Sequence, residues 1–160
     1  MLKISGFLLL CTFWVQSAHA LTSDEARAIA VGESDARITA LSKAVENADD
    51  KTAAFIQALA DDAVKVAGDK VFIVRDGKAV DPSTGAAATL PDGAEDVINN
   101  NRMRGEIDTA LAALKLFSPD VRLRREAVKA LQGEADESKL ALIEKALAAE
   151  TDAGIKAQLQ

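Results

Sequence analysis

Apolar side chains recur three and four residues apart along most of this chain, and β-favouring residues gather in one short segment. Together these patterns limit the fold to helices around a small sheet. Ile38, Leu41 and Val45 mark one helical stripe, Phe55, Ile56 and Leu59 a second, and Met103, Ile107, Leu111 and Leu114 a third. Val121, Ala127, Val128 and Leu131 follow, then Leu140, Ile143 and Leu147, and last Ile155 and Leu159. Alanine is frequent enough between them for close helix approach with few large side chains.

The β-favouring segment lies within residues 63–98. Val64-Lys65-Val66, Val71-Phe72-Ile73-Val74 and Lys78-Ala79-Val80 are separated by Gly68-Asp69 and Asp76-Gly77. Asp-Gly between apolar runs is a strong hairpin signal. Asp81-Pro82, Thr84-Gly85 and Leu90-Pro91-Asp92-Gly93 then read as loop.

Three helix starts share one device, in Ser34-Asp35, Ser118-Pro119-Asp120 and Thr151-Asp152. Here Ser or Thr is expected to cap the free amides, with Asp at the positive dipole end. Helix pairs follow two of these starts. Ala40-Leu41 and Phe55-Ile56 around Ala48-Asp49-Asp50 match Ala127-Val128 and Leu142-Ile143 around Ala135-Asp136-Glu137, at a constant offset of 87. The expectation is a mostly α fold, a HEAT-like α–α superhelix of helix pairs with a small inserted β-hairpin region. Its first helices fall within 21–62, the β insertion and loop within 63–98, and the remaining helices within 99–160. Ile155 and Leu159 read as facing a helix that is not there, so truncation after Gln160 is expected.

Residues 1–20 carry the pattern of an export signal. Lys3 is the positive residue, Ile4 to Val15 the apolar run, and Ala18-His19-Ala20 a processing site before Leu21. The run is shorter than the about 20 residues a membrane span needs. Cys11 follows Leu10 rather than a small residue, which argues against lipid attachment. Cleavage removes Cys11, Trp14 and His19, each the sole residue of its kind, and the chain has no Tyr. The whole chain carries −6, and loss of Lys3 makes the remainder −7. That charge argues against nucleic acid or anionic membrane as the main partner. With no cysteine left, stability must come from packing.

Asn99, Asn100 and Asn101 stand where the β insertion hands over to the third stripe, followed by Arg102 and Arg104. One asparagine caps the helix, and the surplus amides tie the β loop to it. The alternative is a small pocket of Asp96, Asn99, Asn100 and Asn101 for an amide ligand. Arg102 is expected to face Glu106, and Arg104 to face Asp108, at i,i+4.

Several motifs here resemble the extracytoplasmic N-terminal region of urea-type ABC transporter permeases, of the branched-chain amino acid class. They are Asp81-x-x-Thr84-Gly85, Leu90-Pro91, Asp96-Val97-x-Asn99-Asn100-Asn101-Arg102-x-Arg104, Ala110-Leu111, Leu114-x-Leu116 and Ser118-Pro119-Asp120-x-Arg122. The run from Thr84 to Arg122 is the most specific part. The resemblance implies a periplasmic domain, attached in the full-length protein to the inner membrane. Its partners would be a periplasmic binding protein, the membrane permease and cytoplasmic ATPases. No apolar run after residue 20 is long enough to span a bilayer, so no transport-pathway residue is carried over.

Catalysis is hard to build without His and Cys. Asp49-Asp50, Asp61-Asp62 and Asp92-x-x-Glu95-Asp96 lack the oxygen spacing of a calcium loop, and the aromatic residues Phe55, Phe72 and Phe117 read as core rather than sugar platforms. Neither enzyme activity, metal nor cofactor is expected. Arg122, Arg124, Arg125 and Lys129, with Arg102 and Arg104, form a basic group in an acidic chain, suited to docking an acidic partner or simply solvated. Two function classes remain: the permease domain, acting in assembly or in contact with the binding protein, and a stand-alone periplasmic helical-repeat module for protein interaction.

Overall fold

The structure, a computed structural model, describes residues 21–46, 48–134 and 140–160. The expected export signal, with Cys11, Trp14 and His19, and the acidic loop of Ala135, Asp136 and Glu137 lie outside these residues.

Helix α1 (Ser23–Ala30) opens with a capping box. Thr22 Oγ1 accepts from the Glu25 amide at 3.2 Å, and Glu25 Oε2 accepts from the Thr22 amide at 2.9 Å. The sequence stripes did not include this helix, although Thr-x-x-Glu is its signature. Its Ala26, Ile29 and Ala30 are buried. Gly32, at φ +115, then lets the chain reverse into α2 (Ser34–Glu46).

Helix α3 (Asp50–Ala60) starts at Asp49, whose carboxylate accepts from the Thr52 amide and hydroxyl, each at 2.8 Å. Phe55, Ile56 and Leu59 from α3 are at most 1% exposed. Full burial of such side chains contributes about 1.5–3 kcal/mol each, so these three anchor the larger core.

The expected hairpins form. Strands β1 (Val64–Ala67), β2 (Lys70–Arg75) and β3 (Lys78–Val80) pair antiparallel, with Val64 opposite Ile73 and Arg75 opposite Lys78. Asp76 and Gly77 turn at φ 51 and 72, the left-handed geometry a two-residue hairpin requires. Two further strands fall in the segment read as loop. Strand β4 (Ala87–Ala88) pairs with β3 and β5 (Glu95–Asp96) with β1, giving the order β4-β3-β2-β1-β5. Two residues cannot show an alternating pattern, so these edges left no periodic signal. The sheet packs through β2 on α1.

Helix α4 (Asn101–Leu116) packs on α2, α3 and α5 (Val121–Glu134). Its Met103 and Ile107 enter the larger core with Ile29, Leu41, Phe55, Val64 and Ile73. Its Leu116 enters a second core with Ala127, Val128, Leu131, Ala146 and Ile155. The second core is closed by α6 (Leu140–Ala149) and α7 (Ala153–Leu159).

Several sequence expectations need correction. Asp, not Ser or Thr, caps α5 and α7: Asp120 Oδ1 accepts from the Arg122 amide at 2.8 Å, and Asp152 Oδ1 from the Ile155 amide at 2.9 Å. The buried line of α4 runs through Ala110, Ala113 and Leu116, leaving Leu111 and Leu114 at its edge. Leu140 is 52% exposed, and Ala146 is the buried residue of α6. Ile155 is fully buried and Leu159 half-buried within the second core, so both find partners inside the chain.

The fold is thus mostly helical with a small antiparallel sheet. Helices α2 and α5 start 87 residues apart, at Ser34 and Val121. Their extensive contacts run through other helices: α2 packs on α1 and α4, α3 on α4, and both α5 and α6 on α7. Among the described residues no helix is long and apolar enough to cross a membrane.

Candidate functional site

The asparagine segment sits at a junction of four elements. Asn99 is 5% exposed; its Nδ2 donates to the Leu59 carbonyl at 3.1 Å, and its Oδ1 accepts from Arg37 Nη2 at 2.6 Å. Arg37, also buried, donates from Nε to the Ile29 carbonyl at 2.8 Å and from Nη1 to the Ile98 carbonyl at 3.1 Å. Its charge is met by carbonyl and amide oxygens alone, one of them in the last turn of α1, where the helix dipole is negative. Burial pushes the guanidinium pKa down from its ordinary value.

Asn100 caps α4, its Oδ1 accepting from the Met103 amide at 2.9 Å, while its Nδ2 donates to Ser34 Oγ at 2.8 Å. Asn101 is exposed at the first position of the helix, and Asp96 lies on β5, where its carboxylate takes the Lys65 ammonium at 2.6 Å. Asp96, Asn99, Asn100 and Asn101 therefore do not converge on one cavity. Sequence reasoning missed Arg37. Its signal was a cation four residues before Leu41, on the face that α2 buries.

The basic residues are largely paired. Arg102 reaches Asp35 rather than Glu106, and Arg104 Nη2 reaches both Asp62 oxygens, at 2.9 and 3.0 Å, rather than Asp108. Each bond joins α4 to the start of α2 or the end of α3, contacts that i,i+4 spacing cannot reveal. Arg122 pairs with Asp120 at 3.0 Å and Arg125 with Asp152 at 3.7 Å. Lys129 is exposed and has no ion pair among the described residues.

Arg124 forms a planar fork on Glu150, with Nε to Oε2 at 2.9 Å and Nη2 to Oε1 at 3.1 Å. Its Nη1 also donates to the Ser118 carbonyl at 2.9 Å. The Thr151 and Asp152 amides both reach Glu150 Oε1 at 2.7 Å. These bonds, the Arg124 fork foremost, hold the Glu150 carboxyl at about 2, below its ordinary 4.5. The same fork raises Arg124.

The acidic pairs are spent similarly. Asp49 caps α3, Asp61 takes Arg75 at 2.8 Å and Asp62 takes Arg104. Among the described residues no group of three His, Cys, Asp or Glu is placed to hold a metal ion.

Among the described residues two sizeable concavities flank α4: one of about 580 Å³ between α4 and α5, with Asn101, Arg102, Glu106, Asp108 and Glu126 in its lining, and a groove of about 800 Å³ on the side of α2 and α6. Leu41 and Val45 of α2, Ala110 and Leu114 of α4, Leu123 of α5 and Leu142 of α6 line the groove. Phe117, expected in the core, is instead 39% exposed at the end of this groove, with Lys145 Nζ 5.6 Å from its ring centre. No protein-family model, curated protein or solved structure matches this chain.

Proposed function

We propose that this chain is the non-catalytic extracytoplasmic domain of an ABC-type urea or amide transport permease of the branched-chain amino acid class. It acts by contact, in assembly with the permease and its ATPases in the full-length protein or with the periplasmic binding protein. In this reading α2–α3 and α5–α6 correspond to HEAT-like pairs, α2 and α5 starting 87 residues apart, with α1, α4 and α7 taking most of their contacts.

The observation that supports a contact role is how the most specific residues of the resemblance are used. Asp96, Asn99, Asn100, Arg102 and Arg104 all bond to neighbouring elements of the domain itself. They order a scaffold, and the roomier of the two concavities beside α4, of about 800 Å³, is mainly apolar.

A second reading is a stand-alone periplasmic helical-repeat module for protein interaction, to which the mainly apolar groove along α4 is equally suited. Reading the coding frame beyond Gln160 separates the two. Several apolar runs of about 20 residues are expected for a permease, whereas an immediate stop codon would overturn that reading in favour of the module.

A further inference from the structure

We infer that the groove along α4 is a docking site for an amphipathic helix of another protein, one that carries Lys or Arg beside its apolar stripe. The inference rests on the contact role proposed above but not on membership of a transporter, so a stop codon after Gln160 would leave it standing.

The first support is where the large side chains of α4 point. Its buried line is Met103, Ile107, Ala110, Ala113 and Leu116, and along the groove the two alanines of that line are buried while Leu111 and Leu114 lie half-covered. At the groove's end Phe117 and Leu123 are 39% and 40% exposed, two of the five large apolar residues that are exposed among those described. Apolar groups gathered in one concavity mark a binding surface more than scattered ones do.

Shape is the second support. Glu106, Ala110, Leu114 and Phe117 recur at helical spacing along the groove, and eleven residues of α4 span about 16 Å. That length matches three turns of a partner helix, whose i, i+3/i+4 and i+7 side chains would fill the space.

Charge selects the partner. Glu46, Asp50 and Glu106 line the groove and make no ion pair among the described residues. The carboxylates of Asp35, Asp61, Asp62, Asp96, Asp120 and Glu150 face Arg or Lys, whereas Asp69, Asp76, Asp108 and Glu126 also make no ion pair among the described residues, so what distinguishes the three is their place beside the apolar groove. Of the groove's two lysines, Lys145 sits over the Phe117 ring. With Lys115 and Lys145 also in the lining and the Asp49 carboxylate on the α3 cap, the groove's four carboxylates outnumber its two ammonium groups, and in a chain of net charge −6 this favours a cationic flank.

The test uses the full chain and two fluorescein-labelled 18-residue helical peptides with the same leucine stripe, one flanked by lysine and one by glutamate, read by fluorescence anisotropy. The lysine peptide should bind at least tenfold tighter than the glutamate peptide. Glu46→Lys with Asp50→Lys should weaken it tenfold or more. Asp69→Lys with Asp76→Lys, the same charge change on the hairpin turns, should weaken it less than threefold. Phe117→Ser with Leu123→Ser, both at exposed positions, should also abolish tight binding without altering the helical circular dichroism. Equal affinity for both peptides, no binding of either, or equal loss from the hairpin variant would overturn the inference. So would sedimentation showing that the groove variants break up a dimer, because the occupant would then be a second copy of this chain.

Discussion

Asn99 and Arg37 bind segments that are far apart in the chain, and their worth should appear as stability. Asn99→Ala leaves one Arg37 N–H unpaired and buried and removes one of the donors to the Leu59 carbonyl, which keeps the Asp62 amide at 3.3 Å, a loss of about 1–3 kcal/mol. Asn101→Ala, at an exposed position, should change stability by less than about 0.5 kcal/mol. Guanidinium denaturation of both variants reads the contrast; equal small effects would mean the Asn99 amide is not needed for the fold. The asparagines were legible as a cap and a tie because their side chains suit both. The tie's far ends were not, since Arg37 lies 62 residues before Asn99 and Leu59 lies 40 before it.

Glu150 gives the residue scale its pH dependence. Its folded carboxyl titrates near 2 and its ordinary value is 4.5. Stabilisation is therefore present above about 4.5 and lost as pH falls towards 2. At pH 7, Glu150→Gln should lower Tm by about 6 °C. Between pH 6 and pH 3 the native chain should lose more Tm than this variant does, as differential scanning calorimetry would show. Parallel losses would place the acid sensitivity at other carboxylates, such as Asp49 or Asp81, whose pKa values are also lowered by their hydrogen bonds.

Helix and strand positions followed sequence wherever the signal was long or chemically distinct. Asp76-Gly77 permitted left-handed turning, and the β-rich runs beside it became β2 and β3. Helix α1 escaped because alanines supply two of its three buried positions, Ala26 and Ala30, while α7, a residue shorter, showed itself through Ile155 and Leu159. The stripe of α4 was misassigned because alanine and leucine both satisfy helical spacing, and packing alone decides which faces the core. Asp49 tests the capping logic. Asp49→Ala removes the bonds to the Thr52 amide and hydroxyl and should cost about 1 kcal/mol in a urea melt. Asp49→Asn should recover most of that loss, because its amide oxygen still accepts from the Thr52 amide. Failure to recover would implicate charge rather than the cap.

Over the whole molecule, two apolar cores share α4, and the groove opens where the helices around the first core part from α5 and α6. Its position follows from contacts across the fold, none of which the spacing of Leu111 and Leu114 discloses. What the molecule offers a partner is this surface, while its polar junctions are occupied with holding the elements together. Amide NMR of the isotopically labelled chain, titrated first with urea and then with the lysine-flanked peptide, addresses both halves of that statement at once. Urea should produce only small, unsaturable shifts at Asn99, Asn100 and Asn101, and the peptide should produce saturable shifts along Leu111, Leu114 and Phe117. Saturable urea binding at the asparagines, with α4 indifferent to the peptide, would contradict it.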